Sequence, residues 1–93
     1  MSNVDYVGNL VYSTAGRDKG KLFIIIGIIN KDYVYISDGK LRTIEKPKKK
    51  KLKHLSFTAF KNNDVAKAIL SGDKVSNSAV KKGILLVNSK EEV

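Results

Sequence analysis

Residues 45–55 read EKPKKKKLKHL, six lysines and then the chain's single histidine between leucines. An ammonium group is a compact point charge that meets phosphate at many angles, whereas reading a base edge favours the forked donors of Arg, Asn or Gln. A lysine-dominated surface therefore suits the sugar-phosphate backbone of a nucleic acid, with weak sequence preference. From residue 40 to 54 stand Lys40, Arg42, Lys46, Lys48, Lys49, Lys50, Lys51 and Lys53 against one acid, Glu45, which places +7 of the net +9 in fifteen residues. Charge this concentrated repels itself, and no acidic block elsewhere in the chain neutralises it. An external polyanion, a nucleic acid or an anionic membrane, is the natural counterpart, and with no basic amphipathic helix or lipidation signal beside the run a membrane partner is not expected. The rival reading is a solvated, disordered loop that only aids solubility.

A second basic stretch, AGRDKGK (15–21), sets two glycines four apart around three charged residues. Glycines at that spacing supply positive φ and close backbone approach, the marks of a tight exposed loop. Arg17, Lys19 and Lys21 either meet phosphate or decorate an ordinary turn, and Asp18 caps or orders its own loop. Arg42 is the best single candidate for a stronger phosphate or base contact. His54 reads as a packed or edge residue more readily than as a ligand, though its basic neighbours keep it among the RNA-binding candidates. Tyr12, Tyr33 and Tyr35 either pack in the core or stack on unpaired bases.

Catalysis and metal chemistry find little purchase. A nucleophile with its base, paired carboxylates in a cleft or a ligand set would be needed. The chain has one histidine, no cysteine and mostly scattered acids. GRDKGK lacks the spacing of a phosphate-binding NTPase loop. No enzyme, cofactor or metal site is expected.

GNLVYST (8–14) is a short strand with Leu10 and Tyr12 on one face and Val11 and Ser13 on the other. KLFIIIGIIN (21–30) is a long central strand in which Gly27 marks a bend or bulge. YVYIS (33–37) alternates as a half-buried strand should. Asp38-Gly39 signals a type I′ hairpin returning as a fourth strand, KLRTIE (40–45). Pro47 then forces the lysines out as an extended loop, and a strand resumes at 52–57. NNDVAKAILSGD (62–73) is an amphipathic helix with Asn62 or Asn63 as its cap and Gly72 as its terminator. SNSAVKKG (76–83) is one or two further helical turns closed by Gly83, ILLV (84–87) is buried or a last strand, and NSKEEV is frayed. Short strands with glycine turns suggest a small barrel.

The stretch AGRDKGKLFIIIG resembles the KOW motif, carried by Gly16, Arg17, Asp18, Lys19, Gly20, Lys21 and the aliphatic strand after them. The likeness extends over Asn9–Leu55, through DGKLR and EKPKKKKLKHL, to bacterial KOW-domain RNA-binding proteins related to the fourteen-e type of large-subunit ribosomal protein. That resemblance implies an SH3-like barrel that binds RNA, ribosomal RNA above all, with the glycine-flanked loop on the sugar-phosphate backbone. The expectation is thus one α+β, mainly β unit over 1–93, a barrel at about 6–58 with a helical C-terminal extension at about 61–83. Arg17, Lys19, Lys21, Lys40, Arg42, Lys46, Lys48–Lys51, Lys53 and His54 would meet RNA, while Gly16, Asp18 and Gly20 shape the loop. The alternative is a KOW module that binds a ribosomal or transcription protein, with RNA contact secondary. No secretory signal or membrane span is legible, the longest apolar run being Leu22–Ile29. A cytoplasmic protein, monomeric when free, is expected.

Overall fold

The computed structural model describes residues 3–91, and side chains from Asp5 to Ser89. Five strands, β1 (Asn9–Ser13), β2 (Leu22–Ile28), β3 (Tyr33–Ser37), β4 (Lys48–Lys51) and β5 (Leu55–Lys61), form one antiparallel sheet in the order β4-β3-β2-β1-β5. Two helices follow, α1 (Asn63–Leu70) and α2 (Asn77–Glu91).

The connectivity dictates a strong coil. β4 and β5 lie at opposite edges of the sheet yet are joined by only a 3-10 turn, Leu52–His54. In a flat sheet, strands about 4.8 Å apart would hold these edges roughly 19 Å from each other. The ends to be joined also sit at diagonal corners. Lys51 pairs with Tyr33 beside the Ile28 end of β2, whereas Leu55 pairs with Ser13 beside the Leu22 end. A three-residue link reaches about 14 Å at full stretch. The sheet must therefore curl until its corners approach. Backbone bonds fasten the turn at both ends, Leu52 N donating to Asp32 O at 2.8 Å and Thr14 N to His54 O at 2.9 Å.

Each face of the coiled sheet has its own apolar core. Val11, Phe23, Ile25, Val34, Ile36 and Leu55 fill one. Leu10, Leu22 and Ile24 meet Val65 of α1 and Val80 and Val87 of α2 on the other. β2 is thus covered on both sides along Leu22–Ile25, which explains its unbroken apolar run. The register slips between Ile25 and Gly27, so Gly27 opposes Tyr35 and Ile28 opposes Val34. That bulge lets Ile25 and Ile28 pack in the same core although they are three positions apart, an odd spacing that a regular strand would send to opposite faces.

Several expectations need correction. The closed barrel is an open sheet, because no ladder joins β4 to β5. The return strand expected at 40–45 is an irregular loop. A type I′ turn needs positive φ at both central residues, and only Gly39 has it, at 76°. Asp38 instead accepts hydrogen bonds from Lys40 N and Arg42 N, and Ser37 Oγ donates to Arg42 O, which closes a wide loop. The lysines expected as an extended loop after Pro47 are β4 itself, and the strand expected to resume at 52 begins at Leu55, after the 3-10 turn. At the C-terminus α2 runs well past the expected end at 83, and ILLV is helical rather than a strand. Gly83 is no terminator. A Cβ there would lie 2.6 Å from Asn62 Nδ2 and 3.3 Å from Ile24 Cδ1, so its role is to let α2 approach the α1 cap and the sheet. The frayed end expected at 88–93 is helical to Glu91, and Glu92 and Val93 lie outside the described residues.

Candidate nucleic-acid interface

Four consecutive lysines are poor strand formers, and their pairing partner decides the matter. Lys48, Lys49, Lys50 and Lys51 lie opposite Ile36, Tyr35, Val34 and Tyr33 of β3. The two-residue period of a strand then splits the charges between two faces. Lys48 and Lys50 share the face of Ile36 and Val34, while Lys49 and Lys51 stand beside the tyrosines. Lysines on an edge strand also deter edge-to-edge association, a use that needs no ligand.

The inner pair is tied to the β1–β2 loop. Lys50 is only 7% exposed, and its Nζ donates to Ala15 O at 2.8 Å. Burial, with the charges of Lys48 and Arg42, holds its ammonium below the usual lysine range, and Asp18 opposes that shift. Asp18 is buried and collects three cations, with Lys48 Nζ at 3.0 Å, Arg42 Nη2 at 3.5 Å and Lys21 Nζ at 3.8 Å. Burial alone would raise its carboxyl. The Lys48 hydrogen bond and charge, then Arg42 and Lys21, overcome that and hold it below its ordinary value. One carboxylate thus gathers Lys21, Arg42 and Lys48, and with Lys50 on the neighbouring Ala15 carbonyl the cluster keeps three positive charges in excess. Arg42 Nε is buried without a hydrogen-bond partner.

The loop that delivers Asp18 is closed by its own backbone. Gly20 N donates to Ser13 O at 2.8 Å, Ser13 N to Lys21 O at 3.0 Å and Lys21 N to Asp18 O at 3.0 Å. Gly20 has φ 85°, a conformation natural to glycine, and faces open space where a side chain would start.

The outer pair gathers on Tyr33, with Lys49 Nζ 4.6 Å and Lys51 Nζ 5.8 Å from the ring centroid. Such contacts contribute about 0.5–1 kcal/mol at exposed sites. Tyr35, two residues on, is 41% exposed, whereas Tyr12 packs half-buried against the helix-side core.

The candidate residues therefore fall into three groups. Lys21, Arg42, Lys48 and Lys50 converge on Asp18 or its loop, and Lys49 and Lys51 converge on Tyr33. Arg17, Lys19, Lys40, Lys46 and Lys53 are exposed on the loops and the 3-10 turn, and His54 is half-buried in that turn. Sequence reasoning assigned Asp18 to its own loop and missed its reach to Arg42 and Lys48, since the pairing that brings β4 alongside was not foreseen. The available signal was an isolated acid inside a basic motif.

A groove of about 370 Å³ lies beside the Asp18 cluster, between the 38–41 loop and α2. Leu22, Leu41, Ile84 and Leu85 line it, and Lys21, Lys40 and Lys81 stand among them. Leu41 and Leu85 are 75% and 65% exposed. Further along the same loop Asn77 ties it to α2, its Oδ1 accepting from Ile44 N and its Nδ2 donating to Glu45 Oε1, both at 2.8 Å.

The chain is similar to a bacterial protein over most of its length. It is 28% identical over 71 residues to the Bacillus subtilis (strain 168) protein named "Putative ribosome-binding protein YbzG", a match spanning 76% of this chain and 96% of that one. No family model matches the chain. No helix among the described residues is long and apolar enough to cross a membrane.

Proposed function

We propose that this protein is a cytoplasmic RNA-binding protein that associates with the ribosome and contacts the sugar-phosphate backbone of ribosomal RNA. The observation that carries this reading is β4, an all-lysine strand held rigidly on a coiled sheet, with Lys49 and Lys51 on its outer face and one buried carboxylate set against the cations behind it. Its charges are pre-positioned rather than averaged over a loose loop, so less ordering accompanies binding. The relative's name supports association with the ribosome. The glycine-flanked, basic Gly16–Lys21 loop between β1 and β2 and the small coiled antiparallel sheet behind it support reading the chain as a KOW-like RNA-binding module.

A filter-binding titration against a ribosomal RNA transcript tests the reading. Lys49→Ala/Lys51→Ala should weaken binding at least tenfold at moderate salt while circular dichroism stays unchanged. Equal affinity in the double variant would reduce these lysines to edge protection.

The apolar groove with Leu41 and Leu85 favours a second reading, in which a protein on the ribosome is the main partner and RNA is secondary. Ribonuclease separates the two. Co-sedimentation with a ribosomal protein that survives complete RNA digestion supports the protein partner, and its loss supports RNA.

A further inference from the structure

We propose that the outer face of β3 and β4 holds one unpaired RNA nucleotide, its base stacked on Tyr35 and its flanking phosphate on Lys49 and Lys51. The inference rests on the RNA-binding reading above and adds a substrate class, RNA that offers a looped-out or single-stranded base.

Tyr33 and Tyr35 point to one side of β3, and the ladder sets Lys51 and Lys49 directly across from them. The two rings have different surroundings. Tyr33 carries both ammonium groups, at 4.6 and 5.8 Å. Tyr35 lies across Gly27 of β2, where Cδ2 is 3.5 Å from the point at which a side chain would begin. Covering a bare glycine with a cross-strand aromatic is a structural use of this ring, and it engages only the side toward β2. The ring remains 41% exposed. Helices α1 and α2 cover this sheet face at Leu22 and Ile24 and leave its Tyr35 end open.

An exposed ring beside paired cations is the arrangement that single-strand binders use, the ring taking a base and the ammonium groups its backbone. Bases in an intact A-form duplex stack on one another and turn only groove edges outward. A duplex can therefore engage the lysines here but not the ring. Wild type and variants should differ between the two kinds of RNA.

The test compares a blunt-ended duplex with a hairpin carrying 2-aminopurine in its loop, each titrated with the full chain. Tyr35→Ala should weaken hairpin binding about 5- to 100-fold, abolish quenching of the 2-aminopurine, and leave duplex affinity within about twofold. Tyr35→Phe should restore both hairpin readouts. Tyr35→Val, which keeps strand propensity, serves if the alanine variant unfolds. Hairpin affinity and quenching unchanged in Tyr35→Ala or Tyr35→Val would overturn the stacking site. If Lys49→Ala/Lys51→Ala still lost affinity in that case, backbone recognition would stand alone. Wild-type protein that bound neither RNA would overturn the stacking site and the broader reading together.

Discussion

Asp18 is where local chemistry and global arrangement meet. Its carboxylate is buried, and Lys48, Arg42 and Lys21 surround it from three separate segments. Asp18→Asn removes the charge but keeps the shape, leaving the Lys48 and Arg42 cations to face each other. Because those cations are partly exposed, screening moderates the cost, and about 1–3 kcal/mol of stability should be lost in urea titration. The pH dependence has a definite sign. A carboxyl held below its ordinary 3.8 stabilises the native state above that pH, and the contribution disappears as pH falls through the lowered native value. Wild type should lose stability on acidification below about pH 4 more steeply than Asp18→Asn. Parallel acid titrations of the two would contradict the role given to this carboxylate.

Gly20 turns the loop that carries Asp18. A side chain there meets no neighbour, so any penalty comes from φ 85° alone. Gly20→Val should cost about 1–2 kcal/mol and loosen the loop that presents Asp18. An unchanged melting temperature would show that the turn tolerates a branched residue.

Among the elements, those whose signal is local were legible. YVYIS alternates and is β3, LFIIIGI is β2 with its register slip between Ile25 and Gly27, and Asn62 caps α1 by accepting from Val65 N at 3.0 Å. Asn62→Ala should accordingly cost about 1 kcal/mol of stability in thermal unfolding. Features that depend on distant partners were not legible. Lys48–Lys51 has the composition of a loop, and only pairing with Val34 and Ile36, whose own faces are buried, makes it a strand. Gly83 has the look of a helix terminator, yet α2 continues through it because a bare backbone is needed against Asn62. The same limit applied to the site. The basic residues and their sign were evident in the sequence, whereas their division into an inner pair, Lys48 on the Asp18 carboxylate and Lys50 on the Ala15 carbonyl, and an outer pair at Tyr33 follows from the alternation of a strand that composition hides.

The whole molecule presents an ordered basic face on a small scaffold, and order has an electrostatic signature. Each phosphate neutralised releases counterions, so log affinity falls with log salt by about 0.7 per phosphate on single strands and 0.9 on duplex. A face of about six contacts gives a slope near −4 to −5. A disordered lysine tail would share its charges among many transient poses, and removing two of them would alter affinity little. The most direct measurement is therefore the salt dependence of binding to a ribosomal RNA fragment, for wild type beside Lys49→Ala/Lys51→Ala. The account expects a steep wild-type slope that becomes shallower by about 1.5 in the double variant, with affinity down at least tenfold. A shallow wild-type slope, or one unchanged by removing both lysines, would contradict it.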